Sequence, residues 1–123
     1  MKRKKSKSPT VLTLELYRSS GWTCEITERW NPFAKVRQDL FGFIDVIAVT
    51  NGVTVGIQTT TYANRLARVK KIIQEVNVAA YRWLQAGNEI HVVSWKAIKD
   101  GKKTLYAADV ILVTEADFAE AWA

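Results

Sequence analysis

The apolar positions of this chain switch from helical spacing to strand-like runs and back, in the order helix, three strands, helix, strand, strand, helix. Ser8-Pro9-Thr10 opens the first helix, with Ser8 or Thr10 as cap and proline tolerated in the first turn. Val11, Leu12, Leu14, Leu16 and Tyr17 carry that helix to about Ser20, and Gly21 ends it. Residues 22–30, rich in Thr, Ile and Trp, read as a strand; Asn31-Pro32 breaks it, and a loop runs to about Leu40. Two strands follow at 42–50 and 53–60. Residues 62–86 read as one long helix, apolar at Leu66, Val69, Ile73, Val76, Ala80, Trp83 and Leu84, with Gly87 as its cap. Residues 89–95 form a further strand, Asp100-Gly101 a turn, 106–113 a last strand, and 115–122 a short acidic helix. The pattern predicts an α/β fold with a central mixed sheet flanked by helices.

The centre of the chain also places chemistry. Asn51-Gly52 is the strongest short hairpin signal, because a type I′ turn needs positive φ at both positions. A two-residue loop there pairs Thr50 with Val53 and sets Asp45 opposite Gln58, as a non-hydrogen-bonded pair with Cα atoms roughly 4.5 Å apart. A carboxylate among Ile, Val and Ala is costly to bury unless something uses it. A hard cation such as Mg²⁺ fits, since it takes oxygen ligands and needs only one or two from protein. Gly56, opposite Ile47 on the same face, is expected to leave room for a ligand or backbone, and Thr60 points the same way. The alternative is a half-buried hairpin in which Asp45 pairs with a basic side chain such as Arg37 or Lys35.

Charge changes the picture only once it is located. The net charge is +6, but Lys2, Arg3, Lys4, Lys5 and Lys7 supply five of it. Residues 1–8 therefore read as a disordered basic arm before a nearly neutral single domain at 9–123. Such arms bind phosphate backbones with strong salt dependence; a merely solubilising tail is the other reading. Within the domain, Arg29, Lys35 and Arg37 precede the hairpin, and Arg65, Arg68, Lys70 and Lys71 follow it, as expected where a polyanion crosses. A single cysteine, Cys24, excludes an internal disulfide and a thiolate zinc cluster, and suits a reducing cytoplasm. No apolar run approaches the roughly 20 residues a membrane span needs, so no membrane partner is expected. Of the five tryptophans, Trp83 and Trp95 read as core; Trp22, Trp30 and Trp122, where exposed, could stack on bases or form a dimer patch.

Glu15 in the first helix, Phe41-Gly42-Phe43-Ile44-Asp45, Ile57-Gln58-Thr59-Thr60 and the basic helix from Asn64-Arg65 stand in a particular order. In that order the sequence resembles the PD-(D/E)XK nuclease superfamily, and within it archaeal-type Holliday-junction resolvases and related phage endonucleases, over residues 12–95. The resemblance implies a restriction-endonuclease-like αβββαβ core with an appended strand and short C-terminal helix. It implies a Mg²⁺- or Mn²⁺-dependent endonuclease hydrolysing phosphodiester bonds in branched or duplex DNA. Because resolving a junction takes two symmetric cuts, it implies a homodimer, and it admits a phage- or mobile-element-encoded protein acting in a host cytoplasm. Asp45 matches the metal-binding aspartate and Gln58 the position of the second acid. The backbone carbonyl of Thr59 would be a further ligand, and Glu15 looks like the helix glutamate that holds a metal-bound water or a second metal.

Thr60 stands where that family carries its lysine, and Gln58 removes one negative charge. A threonine hydroxyl neither lowers the pKa of an attacking water nor offsets charge on phosphate. Lys70 or Lys71 on the following helix is expected to replace the lysine; Arg68 keeps a charge but carries protons poorly. Three readings stand: an endonuclease with a relocated basic residue, a catalytically degenerate DNA-binding module on a nuclease fold, and a structural phage or mobile-element protein that uses only the arm.

Overall fold

The computed structural model describes residues 7–121. Ser8 caps the first helix, α1 (Pro9–Ser19), its hydroxyl accepting from the Val11 amide at 3.2 Å. A strand, β1 (Thr23–Ile26), follows, but the chain leaves the sheet at Thr27 instead of continuing to Trp30. There the Thr27 amide donates to the Asp45 carbonyl at 2.8 Å and the Thr27 hydroxyl to the Ile44 carbonyl at 2.8 Å. What the sequence suggested as strand end and loop is a separate two-stranded hairpin, β2 (Arg29–Asn31) with β3 (Val36–Gln38). The central strands are β4 (Val46–Thr50) and β5 (Val53–Thr61). Residues 42–44, expected as the start of this strand, instead lie in a turn that passes through Phe41 (φ 54°) and Gly42 (φ 82°).

The expected long helix is broken. A 3₁₀ turn (Tyr62–Asn64) leads into α2 (Arg65–Gln74), and α3 (Asn77–Gln85) follows after Glu75 and Val76. Val76-Asn77-Val78 joins β-branched residues to an asparagine whose side chain accepts from the Val78 amide at 3.0 Å, so a new helix start outcompetes continuation. Two long strands, β6 (Glu89–Asp100) and β7 (Lys103–Val113), and α4 (Glu115–Ala121) complete the order.

The main sheet runs β1-β4-β5-β6-β7, antiparallel throughout except for the parallel pair β5–β6, which α2 and α3 connect. Thr50 pairs with Val53 and Val46 with Ile57, the expected register. Only Gly52 (φ 76°) of the two loop residues takes the left-handed conformation, so the turn is not type I′; loop length alone fixes the register. Helix α1 covers one face over Leu14, Tyr17, Val46, Val55, Ile57 and Val93. Helices α2, α3 and α4 cover the other over Phe43, Ile44, Ile72, Val92 and Phe118. His91 joins the Tyr17 hydroxyl (2.7 Å) to Glu89 (3.0 Å). No helix among the described residues is long and apolar enough to cross a membrane.

Gly56 has a packing role, not the ligand-approach role expected of it. A Cβ there would lie 2.9 Å from Ile44 Cδ1 and 3.2 Å from Trp83 Cε2, so side chains already fill the space. Gly56→Ala is expected to lower the unfolding free energy by about 1–3 kcal/mol through overpacking, read from the midpoint of denaturant unfolding.

Candidate functional site

Strand β4 begins one residue after Asp45, and this places the carboxylate at the open end of the ladder. Its backbone is held on both sides: the amide donates to the Ile57 carbonyl at 2.8 Å, and its own carbonyl accepts from Thr27. The side chain is buried beside Gln58, which is 2% exposed. Asp45 Oδ2 accepts from Gln58 Nε2 at 2.7 Å, from the Thr59 amide at 2.8 Å and from the Thr59 hydroxyl at 3.3 Å. Gln58 Nε2 also reaches Asp39 Oδ2 at 3.4 Å, so the amide nitrogen bridges two carboxylates. Gln58 Oε1 is buried with no hydrogen-bond partner among the described residues.

Two acids that sequence reasoning missed complete the group. Glu28 and Asp39 stand on either side of the β2–β3 hairpin, and carboxylate oxygens of Glu28, Asp39 and Asp45 lie within 4.8 Å of one another. With 22–30 read as a strand and 31–40 as a loop, nothing brought Glu28 and Asp39 together; the hairpin does so by pairing Arg29 with Gln38. Burial pushes the Asp45 carboxyl up to about 8, and the neighbouring Asp39 and Glu28 add to that, against the pull of the Thr59 amide. A buried acid crowded by two others, beside an orphan carbonyl oxygen, suits a hard cation that accepts all-oxygen ligands. Such a group of oxygens could hold a metal ion.

The cleft over these acids, about 370 Å³, is also lined by Pro9 and Thr10 of α1, by Arg37, and by Arg68 and Lys71 of α2. Arg37 is tied to Glu28 at 3.3 Å, while no carboxylate pairs with Arg68 or Lys71 among the described residues. Lys71 faces the cleft, and Lys70, about 100° further round the helix, lies by Asp117 and Glu120 of α4. Thr60 is buried on the Gln58 face of β5 and brings no charge.

Other expected participants lie elsewhere. Glu15 is not in the cleft; it is exposed and pairs with Lys7 at 3.1 Å. Pro9 and Thr10 are the α1 residues that reach the site, the Thr10 hydroxyl 3.0 Å from that of Thr59, and Glu15 is about 140° round the helix from Thr10. Thr59 meets Asp45 as a donor, through its amide and hydroxyl. Arg65 stacks on Tyr62, 3.6 Å from the ring centroid, and pairs with Asp109 at 3.8 Å, toward β7. Arg29 lines a neighbouring hollow, and Lys35 (φ 54°) sits exposed in the hairpin turn. Lys2, Arg3, Lys4 and Lys5 of the basic arm lie outside the described residues. Compared with protein-family models, with curated proteins and with solved structures, the chain finds no match in any of the three.

Proposed function

We propose that this protein is a Mg²⁺- or Mn²⁺-dependent DNA endonuclease of the PD-(D/E)XK kind, with Asp45, Asp39 and Glu28 as the acids that hold the cation. The observation that carries the reading is the orphan Gln58 Oε1 set beside three crowded carboxylates, under a rim that holds Arg68 and Lys71, neither paired with a carboxylate among the described residues. The strand order β1-β4-β5-β6-β7 with β5 and β6 parallel supports a restriction-endonuclease-like core. A bound divalent ion supplies Lewis-acid charge to a phosphoryl oxygen and lowers the pKa of a coordinated water.

The chain's own groups account for the rest. Arg68 and Lys71 offset charge on the phosphate, Lys71 taking the part that Thr60 cannot. The amino end of α1, through Pro9 and Thr10, adds its partial positive charge to the same wall. Thr59 fixes the Asp45 carboxylate by its two donors, which leaves Oδ1 to face the cation. The basic arm and the dimer belong to this reading as the means of holding DNA and of cutting it symmetrically.

The second reading, a DNA-binding module without chemistry, is favoured by one observation: Gln58 Nε2 already bridges Asp45 and Asp39 where a cation would sit. A cleavage assay separates the two. With Mg²⁺ or Mn²⁺, the protein is expected to nick branched or duplex DNA and to stop on addition of EDTA. Absence of product with either ion on branched, duplex and single-stranded DNA would leave the binding module.

A further inference from the structure

The β2–β3 hairpin carries more than its two flanking acids. Residues 29–38 hold three cations, Arg29, Lys35 and Arg37, and no acid. They also hold two exposed rings, Trp30 at 57% and Phe33 at 96%. Such exposure of large aromatics is unusual for a surface with no partner. Trp30 pairs directly with Arg37, so their side chains share a face of the hairpin, and Arg37 lines the acidic cleft. Phe33 stands at the tip, where the Asn31 side chain accepts from the Phe33 and Ala34 amides at 3.0 and 3.1 Å and stiffens the turn. Between hairpin and α2 lies a hollow of about 750 Å³, lined by Arg29, Leu40 and Phe41 and sharing Arg37, Asp39 and Lys71 with the cleft.

Exposed rings interleaved with guanidinium and ammonium groups match the chemistry of unpaired nucleotides. Every base offers a face for stacking, and every linkage offers a phosphate. A fully paired duplex offers the phosphates but hides the base faces. We propose that the hairpin grips a single-stranded segment of DNA leaving the cleft, with Trp30 and Phe33 stacking on its bases and Arg29, Lys35 and Arg37 holding its phosphates. The preferred substrate is then DNA with an unpaired flap or branch arm beside the cut. This rests on the reading of the cleft as one that acts on DNA.

The test is binding measured by fluorescence anisotropy in EDTA, so that neither metal nor cleavage enters. The probes are a blunt duplex and the same duplex with a single-stranded tail of about ten nucleotides, within the span of one stacking platform. The wild type is expected to bind the tailed DNA about tenfold more tightly or better. In the double variant Trp30→Ala, Phe33→Ala the ratio falls to about one, and in Trp30→Phe, Phe33→Tyr, which keeps the rings, most of it remains. Equal binding of both probes by the wild type, or a preference that survives the double alanine change, overturns the proposal. A wild-type dimer that the alanine variant dissociates in sedimentation would assign the rings to contact between two copies, and would overturn it too. Preference for the tail without cleavage under any ion would overturn the nuclease reading alone; cleavage without preference would overturn this one alone.

Discussion

Asp45→Asn is expected to abolish Mg²⁺-dependent cleavage and, in metal-free buffer, to make the protein more stable at neutral pH. The first effect follows from removing the acid at the centre of the three carboxylates. The second follows from linkage. The native Asp45 carboxyl is raised to about 8, whereas the unfolded chain titrates it near the usual carboxylate value of about 4. Between those limits the native state binds more protons than the unfolded state, so stability falls as pH rises through the window. Below the window both states are protonated and the penalty is absent. Asparagine removes the titration, and the pH slope of stability should flatten. Thermal melting from pH 4 to pH 9 would read this directly, with the wild type losing on the order of a few kcal/mol and the variant far less. Added Mg²⁺ should raise the wild-type melting temperature at pH 8 and leave the variant unmoved. A variant that melts like the wild type across the range would refute the buried, crowded carboxylate as the source.

Lys71→Met is expected to slow cleavage by about two orders of magnitude, the usual cost of removing one preorganised group that meets developing charge. Lys70→Met should change the rate little, because that side chain lies beside Asp117 and Glu120 on the far flank of α2. The pair makes an internal control: adjacent residues, the same charge lost, the same helix propensity. The kcat of each variant under saturating Mg²⁺ reads the difference. Equal losses would mean that the helix contributes only a diffuse basic field, and equal indifference would place the compensating charge elsewhere.

The meeting of Asp45 and Gln58 was legible because a two-residue turn fixes register, and the period-two geometry of strands then fixes which side chains share a face. The helix break at Val76 was not, because the apolar spacing runs on across it while α2 and α3 cover the same side of the sheet. The β2–β3 hairpin was hidden for another reason. Its strands are three residues each and mostly exposed, so no alternation marks them. With the hairpin went Glu28 and Asp39, which only its closure brings to Asp45. Glu15 was favoured by its place in a motif, yet the helical phase set by Thr10 turns it to solvent. Gly56 was read as space for a ligand, when what approaches it is Ile44 and Trp83.

Two of the three carboxylates belong to opposite ends of one excursion of the chain, Glu28 as it departs and Asp39 as it returns. On the proposed reading, an ion gripped by both would be a clasp as well as a reagent, since it would close that excursion onto the sheet and remove entropy from its open forms. The rings at the far end of the excursion are levers hinged at that clasp. On the proposed reading, filling the site would tighten the base of the hairpin while the rings could meet a base with or without the ion.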